Sequence, residues 1–403
     1  MNHPGRWLSI VGIGEDGLGG LSPSARAIVH GAELLVGGAR HLQLVPDVRA
    51  ERLTWPTPLT DAIPALLESR GRRVVVLASG DPFHFGVGAT LARHIDPEEI
   101  LSVPAPSSFS LAASRLGWPL QDVATISLHG RPHEAIAAHL QAGNRILALT
   151  DDETTAQKVA AQLDALGFGP SRMTVLEALG GPRERIRSTS AEAFDLDGIH
   201  PLNVLAVEVL AGEEPRPIPL ASGLPDALFE HDGQLTKREV RALTLSSLRP
   251  QRGELLWDIG LGAGSVAIEW LLRHPSTRAI GFEEDPARAA RASGNAALLG
   301  VPRLLVAGRA PEAFAGMEAP DAIFLGGGAG DPGVFQSAWD ALRPGGRLVA
   351  NAVSIETEGL LAGWFARYGG ELLRISVERA EKLGGMHGWR PAMPVTQWSV
   401  TKQ

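Results

Sequence analysis

Apolar runs rich in β-branched residues alternate with helix-period segments along almost the whole chain, and this alternation restricts the fold to α/β layers built on mostly parallel sheets. The rhythm breaks once. Between Gly212 and Gly233 the sequence GEEPRPIPLASGLPDALFEHDG carries four prolines and no sustained periodicity, which is the composition of a linker. A chain of 403 residues also exceeds what one hydrophobic core organises. We therefore expect two domains, residues 1–212 and 231–403, joined by a linker over residues 213–230.

Composition removes several classes of function. The chain has no cysteine, so it forms no disulfide framework, thiolate nucleophile or cysteine-ligated metal site, in keeping with a reducing compartment. Its formal net charge is −8 and it has no basic stripe for a nucleic-acid backbone. The short clusters Arg70-Arg72-Arg73 and Lys237-Arg238-Arg241 read as solvated helix ends or faces. The apolar run Trp7–Ile13 is too short for a signal peptide and is followed at once by Glu15 and Asp16, and no stretch reaches the ~18 apolar residues of a membrane span. A cytoplasmic protein with no metal, membrane or nucleic-acid partner is expected.

In the first part, strands are expected at Leu8–Val11, Val74–Leu77, Ile100–Val103, Ile146–Leu149, Met173–Glu177 and Val204–Val209. A helix starts after Ser22, an N-cap with Pro23 at the first helical position. In the second part a helix over 236–248 precedes strands near 255–259, 278–282, 304–307, 321–325, 347–353, 372–379 and 394–401. The last two lack room for a crossover helix and should pair antiparallel.

The residues Glu254–Ser265, ELLWDIGLGAGS, are a buried strand running into a glycine turn and then a helix, Val266–Leu272. Such a turn lets a ligand approach the backbone at a helix N-terminus. The following strand ends in Glu283, 23 residues after Gly260, the spacing of an acid that accepts hydrogen bonds from ribose hydroxyls. A nucleoside site is implied, with Asp258, Gly260, Gly262, Gly264 and Glu283 as its residues. Two cofactors compete for it. A dinucleotide fingerprint needs glycines at 260, 262 and 265, but position 265 is Ser, the third glycine is Gly264, and Asp258 precedes the loop. An acid beside the turn suits the cationic sulfonium of S-adenosylmethionine better than a pyrophosphate, so S-adenosylmethionine is favoured over NAD.

These residues also carry a resemblance. Asp232–Arg241 (DGQLTKREVR), Trp257-Asp258-Ile259-Gly260, Gly308–Pro311 and Phe324–Gly328 resemble the decarboxylating precorrin methyltransferase domain, over nearly all of the second domain. In the first part, Gly12-Ile13-Gly14, Ser79-Gly80-Asp81-Pro82, Ser107-Ser108 and His129-Gly130-Arg131 occur in the order found in tetrapyrrole methylases, and resemble the precorrin C-5 methylating branch. By itself Gly-Asp-Pro is a common turn. The resemblance implies a two-lobed tetrapyrrole methylase fold (class III methyltransferase), with the cofactor in a cleft lined by Ser79, Gly80, Asp81, Ser107 and Ser108. A Rossmann-like seven-stranded class I methyltransferase domain follows it. Each domain would hold one S-adenosylmethionine, and no metal is needed. The Gly12–Gly14 loop looks like a phosphate cradle, but Glu15 and Asp16 beside it would repel phosphate.

In this order the two domains resemble the precorrin-6Y C5,15-methyltransferase (decarboxylating) family. The resemblance implies methylation of precorrin-6B at C-5 by the first domain, and methylation at C-15 with loss of the C-12 acetate carboxylate by the second, giving precorrin-8 in cobalamin biosynthesis. The cobalt-containing ring would satisfy the same motifs, and nucleic-acid methyltransferases share both folds. No catalytic triad is written in the sequence, and the chemistry does not demand one. A sulfonium methyl is already activated, the reduced ring supplies an enamine-like carbon, and alignment alone contributes about 7–11 kcal/mol in favourable systems. The ring's acetates and propionates call for Arg, Lys and His. The candidates are His129 and Arg131 in the first domain and Lys237 and Arg238 in the second. His387, Trp389 and Arg390 follow Gly384-Gly385, a segment that could fold over a planar substrate. The nine Trp are expected mainly in cores or interfaces, and a homo-oligomer is expected.

Overall fold

The computed structural model describes residues 5–403. The chain divides into two compact units: one runs to Arg216 without Glu134–Ala138, and the other is Pro217–Gln403 with that short segment.

The first unit opens with five parallel strands, β1 (Leu8–Ile13), β2 (Leu34–Gly37), β3 (Glu51–Thr54), β4 (Val74–Ser79) and β5 (Ile100–Val103), in the order β3-β2-β4-β1-β5. β2 is wholly buried and β1 and β4 nearly so, because helices cover both faces of a parallel sheet, and their sequences are accordingly continuous apolar runs. A second sheet holds β6 (Val123–Ser127), β7 (Arg145–Leu149), β8 (Arg172–Glu177), β9 (Arg185–Ser190) and β10 (Asn203–Glu208), in the order β6-β7-β10-β8-β9 and parallel only between β6 and β7. Ser22 caps the helix Pro23–His30 by accepting from the Ala25 N–H at 3.2 Å. Gly12 and Ile13, expected in a loop, belong to β1 and pair with Ala78 and Ser79. Strands β2, β3, β6 and β9 escape the sequence reading for physical reasons. β2 is only four residues long, while β3, β6 and β9 are edge strands whose half-exposed or charged residues make no apolar run.

The second unit is built on β11 (Leu255–Ile259), β12 (Arg278–Phe282), β13 (Leu305–Ala307), β14 (Ala322–Leu325), β15 (Arg347–Ala352), β16 (Glu371–Ile375) and, after the hairpin β17 (Glu378–Leu383) and β18 (Met386–Pro391), on β19 (Val395–Thr401). The order of its seven-stranded sheet is β13-β12-β11-β14-β15-β19-β16, and β19 runs antiparallel to both neighbours. The strand expected over 372–379 is two strands: β16 ends at Ile375, and Glu378 begins the hairpin that turns at Gly384-Gly385. The hairpin is exposed, so its side chains carry no burial pattern. Trp257, Trp270 and Trp398 lie fully in the core, whereas Trp389 of the hairpin is 73% exposed.

Two sequence readings are corrected here. Residues 217–230, read as part of a linker, pack onto the second unit: Leu224 and Phe229 are buried, and the Gly223 and Leu224 N–H groups both donate to the Glu269 carboxylate at 2.8 Å. Arg241, read as part of a solvated cluster, is completely buried and donates to Glu269 Oε1 from Nε at 2.5 Å. The helix Arg238–Leu248 turns this arginine inward because position 241 falls on the same face as the buried Val240, Thr244 and Leu248. Among the described residues no helix is long and apolar enough to cross a membrane.

Candidate active sites

In the second unit, β11 ends at Ile259 and the chain reverses through Gly260–Gly264 into the helix Ser265–Arg273. The Gly260 and Leu261 N–H groups both donate to the Phe282 carbonyl at 3.1 Å, which ties the turn to the end of β12. Gly260 has φ +74°, and a Cβ there would lie 2.7 Å from Gly327 backbone atoms, so only glycine lets the ends of β11 and β14 close together. Gly264 is the left-handed N-cap of the helix, and Gly262 donates its N–H to Glu283 Oε2 at 2.8 Å. Glu283 accepts a second hydrogen bond, from the Asp285 N–H at 3.1 Å, so it braces the turn while still facing the cavity.

That cavity measures about 860 Å³ and lies at the carboxyl ends of the strands. Asp258 forms part of its floor. One carboxylate oxygen accepts from the Ala267 N–H at 3.0 Å, in the first turn of the helix, and the other has no partner among the described residues. Burial, reinforced by the negative charge of Glu283, pushes the Asp258 carboxyl up to about 8. An incoming cation reverses both effects by giving the orphan oxygen a partner and neutralising the acid pair. A pyrophosphate seated on this floor would meet the two acids Asp258 and Glu283, so the floor fits a cationic nucleoside better.

Cations stand on the cavity walls. Lys237, the N-cap of the helix Arg238–Leu248, lines it and lies 3.9 Å from Asp226; Arg238 is exposed and is not part of the wall. Three arginines that sequence reasoning did not nominate do line it. Arg288 pairs with Asp232 at 2.8 Å, Arg309 with Glu284 at 3.5 Å and Arg379 with Glu239 at 2.6 Å. Arg309 falls inside the Gly308–Pro311 motif, which offered a signal; Arg379 opens no motif and reaches the cavity only through the fold. His387, Trp389 and Arg390 lie on exposed β18 and are not in the wall, because the hairpin pairing binds them to β17.

In the first unit, the ends of β1, β4 and β5 meet without room for a side chain. A Cβ on Gly12 would lie 1.8 Å from the Gly80 carbonyl oxygen and 2.6 Å from the Ala105 nitrogen. The junction is hydrogen-bonded, Gly80 N–H to Ile13 O at 3.2 Å and Ala105 N–H to Gly80 O at 3.1 Å. A cavity of about 260 Å³ beside it is lined by Ser79, Ser107 and Ser108, together with His41, His84 and Phe109. Gly80 and Asp81 do not line it: Gly80 adopts φ +54° to turn the chain, and Asp81 accepts from the Phe83 N–H at 2.9 Å. Ser107 is a buried N-cap whose hydroxyl accepts from the Ser110 N–H at 3.1 Å.

Sequence reading also missed His41, which lies 2.8 Å from the Ser79 hydroxyl while Arg40 donates to both. Burial and the Arg40 charge push the imidazole down to about 4, so it is neutral at physiological pH. Glu15 does not stand as a free charge against phosphate, since it is paired with Arg40 and lies 3.7 Å from Arg183. His129 and Arg131 are exposed and away from the cavity, with His129 3.3 Å from Asp151, because the turn carrying them bends toward solvent. Among the described residues no group of three or more His, Asp or Glu is placed to hold a metal ion.

Comparison with known proteins matches residues 8–195 to the tetrapyrrole (corrin/porphyrin) methylases and residues 227–402 to the precorrin methyltransferase domain. The precorrin-6Y C(5,15)-methyltransferase (decarboxylating) of Sinorhizobium sp is 55% identical over 398 residues, 98% of this chain and 96% of that protein. Two shorter relatives carry single activities in their names. A cobalt-precorrin-7 C(5)-methyltransferase of Salmonella typhimurium is 30% identical over 47% of this chain and 94% of its own length. A probable cobalt-precorrin-6B C(15)-methyltransferase (decarboxylating) of Saccharolobus solfataricus is 37% identical over 34% of this chain and 71% of its own. With both domain models in this order and near-complete coverage of the Sinorhizobium protein, the chain belongs to the precorrin-6Y C5,15-methyltransferase (decarboxylating) family, S-adenosylmethionine-dependent enzymes of cobalamin biosynthesis.

Proposed function

We propose that the two units divide the family's reaction on precorrin-6B: the first methylates C-5, and the second methylates C-15 and removes the C-12 acetate carboxylate, giving precorrin-8. The buried acid Asp258, with an orphan oxygen at a strand–turn–helix junction, is the observation that carries the second-unit site. Relatives that bear one activity each support the division. When bound, S-adenosylmethionine supplies an activated methyl group. In the second unit Asp258, Gly260, Gly262, Gly264 and Glu283 hold it; in the first, Ser79, Ser107 and Ser108 do, with Gly80 and Asp81 shaping the turn. Lys237, Arg309 and Arg379 receive the carboxylates of the ring. The apolar wall formed by Val240, Ile375, Val377 and Val395 strips water from the acetate that is lost.

Separate fragments test the division. Residues 5–216 supplied with precorrin-6B and S-adenosylmethionine should add one methyl, and residues 217–403 should add one methyl and lose carbon dioxide; mass spectrometry reads both. Starting the second fragment at Pro217 retains Leu224 and Phe229 in its core. Calorimetry with S-adenosylhomocysteine on the intact chain should find two sites, and one site would sink the per-unit assignment. The exposed apolar residues Leu383, Met386 and Trp389 support a homo-oligomer, which light scattering checks.

Asp258→Asn should move stability and binding in opposite directions. Asp258 ionises at its ordinary 3.8 in the unfolded chain and at about 8 in the folded protein alone, so folding takes up a proton between those values. Stability therefore falls as pH rises through that window. The amide keeps the bond to Ala267 and cannot ionise. We expect the ligand-free variant to be more stable than the parent at pH 8, by about 1–3 kcal/mol, with a flatter pH profile. Its cofactor affinity should fall about 10–100-fold, the worth of a charge-assisted hydrogen bond. Scanning calorimetry from pH 5 to pH 8 and titration calorimetry read the two effects.

A further inference from the structure

Asn351, near the end of β15, belongs to no motif, yet it lines the second-unit cavity. Ile259 pairs with Leu325 and Leu325 with Ala350, so Asn351 lies two strands from the glycine turn, on the side opposite β12 and Glu283. At ~4.8 Å per strand this is about 10 Å from Gly260. The neighbouring wall is apolar: Val240, Ile375 and Val395 cluster with Val377 against them, and Thr396, beside Val395, pairs with Ala352.

The hydrogen bonds behind Asn351 fix its amide by donor and acceptor chemistry alone. Thr244, fully buried, donates its one hydroxyl hydrogen to the Val240 carbonyl at 2.9 Å, so its oxygen can only accept. It accepts from Asn351 Nδ2 at 2.9 Å and from Gln397 Nε2 at 3.1 Å. Gln397, 2% exposed, gives its second N–H to Asn351 Oδ1 at 2.9 Å and accepts from the Ser247 hydroxyl at 2.8 Å. Neither amide can flip without setting donor against donor or acceptor against acceptor. Every hydrogen of Thr244 and Gln397 is committed. Asn351 alone keeps an N–H in reserve, and Asn351 alone of the three lines the cavity.

We propose that Asn351 uses this N–H to hold a ring carboxylate of the tetrapyrrole, with Thr244 and Gln397 as positioning residues that lock its orientation. The proposal deepens, and rests on, the reading that the second unit binds the ring for methylation at C-15. Asn351→Asp puts an acceptor where the donor stood and a negative charge against the carboxylate. In the full-length enzyme, KM for the tetrapyrrole in carbon dioxide release should rise at least about tenfold. Affinity of the second site for S-adenosylhomocysteine should stay within about twofold, since the pocket floor is untouched. Thr244→Val keeps the shape and deletes only the acceptor that orients Asn351; the same KM should rise about three- to tenfold with kcat little changed. A merely structural role would lower the unfolding temperature and leave KM alone. If Asn351→Asp does not fold, Thr244→Val decides the matter. A parental KM in a folded variant overturns the proposal. Gly260→Ala separates this from failure of the underlying reading: carbon dioxide release that survives Gly260→Ala refutes the second-unit assignment itself, whereas its loss there beside a parental KM in Asn351→Asp refutes Asn351 alone.

Discussion

Glu269→Ala is expected to lower the stability of the second unit by about 3–5 kcal/mol, the cost of removing one partner of a buried ion pair. Glu269 and Arg241 are both fully buried, with Arg241 Nε 2.5 Å from the carboxylate. The guanidinium also donates to the Leu224 and Thr236 carbonyls and stacks over the Phe229 ring at 4.8 Å. Glu269 further accepts the Gly223 and Leu224 N–H groups at 2.8 Å. Removing the acid therefore strands two backbone donors and leaves the guanidinium with only the longer contact to Asp226, at 3.3 Å, as its counter-charge. The segment 217–230 should release first, so proteolysis there should accelerate before global unfolding does. Replacing both members, Arg241→Met with Glu269→Leu, should recover much of the loss in the guanidinium, although the two N–H groups stay unpaired. Denaturant titration of residues 217–403 measures all three proteins. A loss below about 1 kcal/mol in Glu269→Ala would mean that the pair is hydrated and worth no more than a surface bridge.

Gly12→Ala should abolish C-5 methylation and leave a product methylated at C-15 and decarboxylated. The added Cβ would sit 1.8 Å from the Gly80 oxygen and 2.6 Å from the Ala105 nitrogen, both backbone atoms held by hydrogen bonds. Backbone has no rotamer with which to yield, so the loops after β4 and β5 must part. Ser79, at the end of β4, and Ser107, in the segment after β5, both line the cavity. Displacement of reacting groups by about 1 Å costs on the order of 100-fold in rate. Gly260→Ala is the counterpart in the second unit, where φ +74° adds backbone strain to the clash with Gly327. Mass spectrometry of products from the two full-length variants should give complementary single-methyl species. Two methyl transfers by Gly12→Ala would show that this junction does not support the first site.

The acid and glycines at 258–264 were legible because strand, turn and helix follow one another in the chain, and a local turn needs only local residues. Ser79, Ser107 and Ser108 were found as strand-end residues and do line the first cavity. His129, Arg131 and Arg238 were also read from their neighbours in sequence, and they lie outside the linings of both cavities. Adjacency to a strand end or helix start does not say which way a side chain turns, and these three face solvent. His41, Arg379 and Asn351 carried no local signal at all. Their place depends on which strands lie side by side.

What the sequence by itself determined is the alternation of strands and helices, the glycine turn with its two acids, and the family to which the chain belongs. These properties reside in residues close together along the chain and in motif order. Only the tertiary structure decided that Arg241 meets Glu269 rather than water, that residues 217–230 are anchored to the second unit through Leu224 and Phe229, and that Asn351 shares a cavity with Asp258. The physical reason is strand order: a sheet sets strand ends from distant parts of the chain about 5 Å apart, and no local pattern encodes that neighbourhood.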